Sequence, residues 1–348
     1  MLWSQAMRRN GGWRLLVLLT ATLLAAAAGL LVRELKQPLA LASTQTIELP
    51  RGGHLISLAE QLQQRGLISQ PLALRLFARL HGLEALKAGT YSLQPGSSIE
   101  QLLIAMVNAE TVPERITFPE GWTVAQWQRA MAARGLLAEA PPLSWQGLAT
   151  APPVADAAGS VEGWLFPDTY HFRDREGRTI AQLAVARMVA ELDRVWRNRA
   201  ANLPYSNRYQ LLIMASIIER ETGVAAERAQ IAGVFVRRLQ RGMRLQTDPT
   251  VIYGLGDSFD GDLRRADLKR ATPYNTYMID GLPPTPIANP GLASLEAAAH
   301  PAPGEWLYFV GKGDGSHHFS VTLAEHQSAV KRYQRFGRAQ QYRSSPPP

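Results

Sequence analysis

The sequence predicts an α+β fold made of a single N-terminal transmembrane helix, a small α/β module and a larger α+β domain. Three observations carry that prediction: an apolar run without charge near the N-terminus, a repeated strand-turn-helix unit, and a helix apolar on all sides followed by proline-locked loops. The chain has 348 residues, long enough for two domains and a sizeable core. It contains no cysteine, which excludes disulfides, a thiolate nucleophile and a cysteine zinc site. The formal net charge of +8 points to an anionic surface or polymer as partner. Much of that charge is terminal, in Arg8, Arg9 and Arg14 and in the stretch from Lys331 to Arg343, which weakens a nucleic-acid reading.

Leu15 to Val32 is rich in Leu and Ala and carries no charge. At about 1.5 Å per residue it is long enough to cross a hydrocarbon core of about 30 Å. Residues 15–32 are therefore expected to be a transmembrane helix. The arginines before it put residues 1–14 in the cytoplasm and the rest on the outer side. A cleaved signal peptide is the competing reading, because Ala25 to Gly29 offers small residues to a signal peptidase.

A repeat follows. Glu48-Leu-Pro-Arg-Gly52, with an amphipathic stretch to Arg65-Gly-Leu67, matches Thr117-Phe-Pro-Glu-Gly121 and its stretch to Arg134-Gly-Leu136 at a constant offset. The unit reads as a short strand, a Pro-x-Gly turn, a helix and a glycine C-cap. Tyr91-Ser-Leu-Gln-Pro-Gly96, leading into a helix over Ile99 to Val107, is a partial third copy. Such units suit a binding module over residues 44–110, or a spacer without ligand. Residues 111–160 read as a connecting strand-helix unit and a loop rich in Pro and Ala. Residues 161–337 form the larger domain, and 338–348 a disordered tail.

The helix expected over Asn207 to Thr222 is apolar all round, from Leu211 to Ile218, and therefore buried. Glu219 stands at its end, on the face of Leu212, Ala215 and Ser216. Desolvation and the negative end of the helix dipole should both keep its carboxyl protonated, as a general acid requires. A glutamate paired with Arg220 at a solvated helix end is the plain alternative. Glu221, two residues on, points to a different side. Downstream, Gln246, Thr247, Asp248 and Tyr253 share one segment. Tyr274, Asn275, Thr276 and Tyr277 share a second, and Asn289 lies in a third that is rich in proline. Upstream, Glu162, Asp168 and Tyr170 add acids and an aromatic. Amides, hydroxyls and rings on stiff loops can grip sugars, although each also suits core and turn chemistry. The pair His317-His318, with Glu325 and His326, invites a metal reading. Adjacent strand residues face opposite ways and no helical His-Glu spacing supports it, so no metal is expected.

At this point the chain resembles the endolytic murein transglycosylases, the YceG-like family, over nearly everything from the apolar run to about Lys331. The resemblance rests on five stretches in one order: Glu162-Gly-Trp-Leu-Phe-Pro-Asp-Thr-Tyr170, Ala215-Ser-Ile-Ile-Glu-Arg-Glu-Thr-Gly223, Leu245-Gln-Thr-Asp-Pro-Thr-Val-Ile-Tyr-Gly254, Pro273-Tyr-Asn-Thr-Tyr277, and Gly281-Leu-Pro-Pro with Pro286-Ile-Ala-Asn-Pro-Gly291. Arg220, Thr272 and Thr285 depart from the residues usual there. The resemblance implies a LysM-like module over 44–110 and a catalytic domain over 161–337. It also implies Glu219 as catalytic residue, groove positions among the loop residues above with His318, and no cofactor. The implied reaction cuts the β-1,4 bond between N-acetylmuramic acid and N-acetylglucosamine within a nascent strand, leaving a 1,6-anhydro end. Implied partners are peptidoglycan strands, the cytoplasmic membrane, penicillin-binding synthases and the division or elongation machinery. A hydrolytic muramidase and a non-catalytic wall-binding scaffold are the rival readings.

Overall fold

A computed structural model of the chain describes residues 3–50, 52–137, 161–172 and 177–336. The Pro- and Ala-rich stretch 138–160 and the expected tail 338–348 lie outside the described residues. The chain divides into two compact units. The first runs to Arg115 and includes His171–Arg175, and the second comprises Ile116–Tyr170 and Glu176–Pro348.

In the first unit, helix α1 (Trp3–Lys36) covers the apolar run. Among the described residues no helix is long and apolar enough to cross a membrane, while the expected helix over the run is found. The end of α1 is built into the unit: Leu35 is buried in its core and the Glu34 carboxylate accepts from Ser69 N–H at 2.8 Å. Beyond it come β1 (Gln45–Leu49), α2 (Leu55–Gln64), α3 (Pro71–Leu80), β2 (Gly89–Leu93) and α4 (Ile99–Val107). β1 and β2 pair antiparallel with Ile47 opposite Tyr91. Period-2 burial on both strands turns Ile47, Leu49, Tyr91 and Leu93 inward onto Leu58, Leu62, Leu74 and Phe77. Each such side chain contributes about 1.5–3 kcal/mol when withdrawn from water.

The strand-turn-helix repeat is real in backbone as well as in sequence. Gly52 and Gly121 sit at φ 77° and 76°, which only glycine adopts without cost, so both copies need glycine at the same place. α2 opens on a capping box between His54 and Ser57, and α5 (Val124–Ala132) on one between Thr123 and Gln126. Both helices end on a left-handed glycine, Gly66 and Gly135. The following leucine N–H then reaches back six residues' span, Leu67 to Leu62 and Leu136 to Met131.

The second unit is mainly helical. α6 (Gly177–Arg197), α8 (Arg228–Gln240), α9 (Asp248–Leu255) and α10 (Leu292–Ala299) all pack on α7 (Arg208–Glu221). That is why α7 is apolar on every side: Leu211 to Ile218 are all buried. Asn207 caps its start by accepting from Gln210 N–H. Strand β3 (Glu114–Thr117) pairs with β4 (Thr169–Phe172). β5 (Tyr308–Gly311) pairs antiparallel with β6 (His317–Ser320), and α11 (Leu323–Val330) follows. The fold is thus α+β, with three two-stranded sheets among the described residues.

Candidate active site

Glu219 stands in the last turn of α7 with its side chain 6% exposed. Its surroundings are not the apolar ones the sequence suggests. Oε2 accepts the Gly291 N–H at 2.9 Å, and Gly291 is the N-cap of α10, so the positive end of that helix faces the carboxyl. Oε1 lies 3.6 Å from Arg228 Nη2. Arg220, the partner in the plain alternative, turns away and donates to the Gly121 carbonyl at 3.3 Å.

Arg228 belongs to the first turn of α8, and its Nη2 also lies 3.7 Å from Glu120 Oε2. Glu120 is the middle residue of the second Pro-x-Gly turn. It was not among the residues singled out from the sequence, and its stretch read as a connector. The signal for it in the sequence lies only in the repeat, where Glu120 takes the position that Arg51 holds in the first copy. Burial and then the charge of Glu219 raise the proton affinity of the Glu120 carboxyl, with Arg228 opposing. Gly291 fits between the carboxyls, and a methyl group in its place would overlap the Glu120 carboxyl.

Glu162, by contrast, is buried inside the protein. Its carboxylate accepts from Val124 N–H at 3.1 Å, Asn289 Nδ2 at 3.2 Å and the Tyr253 hydroxyl at 3.3 Å. Burial pushes its pKa up to about 7 against those bonds. Asn289 is fully buried and its amide is committed twice more, to Leu165 N–H at 2.9 Å and the Trp122 carbonyl at 2.8 Å. Its backbone exchanges hydrogen bonds with Gly121 and Trp122. Asn289 therefore locks the turn of Glu120 to the loop of Gly291. Tyr253 stacks edge-on against Tyr274, whose hydroxyl meets Thr285 Oγ1 at 2.8 Å.

Glu221 does point to another side, as its helical position requires, and lies in a third cluster. It accepts from Thr247 Oγ1, and burial pushes it up to about 7, helped by the charge of Asp248. Thr247 N–H donates to Thr276 Oγ1 at 3.1 Å, and the Tyr277 hydroxyl donates to Asp248 at 2.7 Å. Asn275 is fully buried and ties its loop by donating to the carbonyls of Asp267, Leu268 and Arg270. Gln246 and Asp248 are exposed, and Gln246 holds a left-handed φ of 51°.

Three residues lie apart from these clusters. Asp168 pairs with Arg187 and accepts from Thr169 N–H. Tyr170 is buried against Phe118 and Trp127, its hydroxyl on the Phe166 carbonyl at 2.6 Å. His318 lies on β6 with its ring 5.7 Å from that of Tyr333. Its neighbour His317 is held by Glu227, the residue before Arg228, at 2.7 Å from Nδ1. Among the described residues no group of three acidic or histidine side chains is placed to hold a metal.

The family model described as YceG-like matches residues 47–332. The endolytic murein transglycosylase of Bacillus subtilis strain 168 is 31% identical over 313 residues, covering 84% of this chain and 85% of that protein. The protein of the same name from Streptococcus pneumoniae strain D39 is 30% identical over 299 residues, covering 76% of this chain and 54% of that protein. The chain thus spans about half the length of the pneumococcal relative. Among solved structures, a 2.6 Å crystal structure of a YceG-like protein from Listeria monocytogenes superposes with a TM-score of 0.56 at 30% identity, over 83% of this chain and 99% of that one.

Proposed function

Because the chain belongs to the YceG-like family, we propose that it is an endolytic murein transglycosylase whose acid and base is Glu219. The observation that carries this is the Glu219 carboxyl at the end of a rigid buried helix, one oxygen held by Gly291 N–H and the other turned toward Arg228. In this reading Glu219 protonates the oxygen leaving C1 of N-acetylmuramic acid. The resulting carboxylate then takes the proton from the C6 hydroxyl as that oxygen attacks C1, which regenerates the acid and leaves a 1,6-anhydro end. No water enters, and proton and bond counts balance.

The remaining sites divide by exposure. Gln246, Asp248 and Tyr277, at or near the surface, suit contact with a sugar strand. Glu162, Asn289, Thr247, Asn275 and Thr276 suit the task of holding the loops that carry those contacts. The first unit, with strands and helices in the order β-α-α-β, supports the LysM-like reading of residues 44–110 as a glycan-binding module. We place that module and the catalytic unit on the outer side of the cytoplasmic membrane, near peptidoglycan synthases. In support, Leu16, Leu18, Leu19, Leu23 and Leu30 of α1 are exposed and arginines precede the run. Protease accessibility of the body in spheroplasts tests this placement, and full protection would refute it.

Incubating the full chain with purified sacculi tests the reaction. Wild type should release muropeptides with anhydro ends, and Glu219→Gln, folded by circular dichroism, should release none. A second carboxylate beside Glu219 is what a hydrolase would use. In that case the products are heavier by one water, and their mass decides.

A further inference from the structure

We propose that Glu120 is the positioning partner of Glu219: by engaging the Arg228 guanidinium it lets Glu219 keep the proton it delivers. The inference rests on the transglycosylase reading above and deepens it.

A general acid beside an arginine poses a difficulty, since a cation a few ångströms away favours the carboxylate, which has no proton to give. The structure answers it with a second carboxylate on the same nitrogen. Arg228 Nη2 stands 3.6 Å from Glu219 and 3.7 Å from Glu120, too far from either for a close hydrogen bond. Its Nε is buried without a hydrogen-bond partner among the described residues. The guanidinium is therefore suspended between two carboxyls and closely bonded to neither. It is 12% exposed, so solvent does little to screen it, whereas Glu120 is 48% exposed and can be altered without opening the core.

The charge count follows the reaction. With the proton on Glu219, ionised Glu120 and Arg228 cancel and the cluster is neutral. When Glu219 releases its proton to the leaving oxygen, the cluster gains one negative charge as positive charge develops at the sugar C1. When Glu219 takes the C6 hydroxyl proton, neutrality returns. Glu120, whose own proton affinity is raised by burial and by the charge of Glu219, shares the proton with it, so the pair titrates as a unit. Without Glu120 the neutral state is ionised Glu219 with Arg228, which is a base from the outset.

Other charges face this cluster. Arg220 lies along Gly121, and Arg194, Glu296 and His300 line the depression that Arg228 borders between α6, α8 and α10. None of these is described in contact with Glu219, and His300→Gln serves as the control for a titration arising there.

The test is the pH profile of anhydro-muropeptide release from sacculi by the full chain, with wild type, Glu120→Gln, Arg228→Gln, the double variant and His300→Gln. Glu120→Gln should keep its KM within about twofold and lose about tenfold or more in kcat at neutral pH. Its alkaline limb should move down by about one pH unit. Removing Arg228 as well should return that limb toward the wild-type position, a rescue that a damaged fold would not show. An unchanged profile in Glu120→Gln, or no rescue in the double variant, overturns the proposal. Wild type releasing no anhydro product would instead overturn the transglycosylase reading.

Discussion

Gly291 donates its backbone N–H to Glu219 at 2.9 Å while leaving no room for a side chain of its own, because the Glu120 carboxyl occupies that space. One residue thus sets both the orientation of the Glu219 carboxyl and the position of its neighbour. Its backbone, at φ −78° and ψ 172°, is ordinary for any residue, so the requirement for glycine is steric.

Gly291→Ala separates function from stability. The overlapping atoms are the far end of a flexible glutamate, which can swing aside, so stability should change by less than about 1 kcal/mol. Displacing Glu120 should nevertheless lower kcat by about tenfold to a hundredfold. Thermal melts and anhydro-product release on the same sample check both halves.

Asn289 offers the opposite case. Asn289→Leu leaves the Leu165 N–H buried without its partner and takes a donor from both the Trp122 carbonyl and the buried Glu162 carboxylate. The cost should be about 2–4 kcal/mol, or a melting point lower by about 5–10 °C. If Asn289 instead gripped the glycan, the variant would melt like wild type and show a raised KM.

Stability should fall as pH rises toward neutrality. Glu162 and Glu221 both have folded values of about 7 against an ordinary 4.5, so the native state holds its protons more tightly than the unfolded chain. Their contribution is complete below the ordinary value and is lost as pH rises through about 7, at most about 3 kcal/mol for each. Urea titrations between pH 4 and 8 should show that decline, and Glu162→Gln should flatten it by about half. A wild-type curve that rises over this range would show that other groups dominate.

What the sequence disclosed, and what it hid, follows from the range of each signal. The buried helix α7 was legible because its all-round apolar pattern is local, and so was the turn-helix repeat, since glycine positions fix caps directly. The loop residues were harder. Asn275 and Asn289 look in sequence like ligand-binding amides, yet each has its amide consumed by backbone groups, some of them more than a hundred residues away. Tyr170 is likewise core, its ring tilted against the stacked pair Phe118 and Trp127. Polarity in a proline-rich loop does not say which way a side chain faces. Glu120 and Arg228 escaped notice for a related reason: an exposed turn tip and the first turn of a helix are ordinary places for charge. Only folding brings both onto Glu219.

The second Pro-x-Gly turn, with Gly121 at φ 76°, carries Glu120 at its tip, the position that Arg51 holds in the first copy of the sequence repeat. A tip residue of such a turn takes no part in closing it, so its identity is free to vary while the backbone stays as it is. The charge beside Glu219 can therefore be rewritten at a single position with no rebuilding of the scaffold.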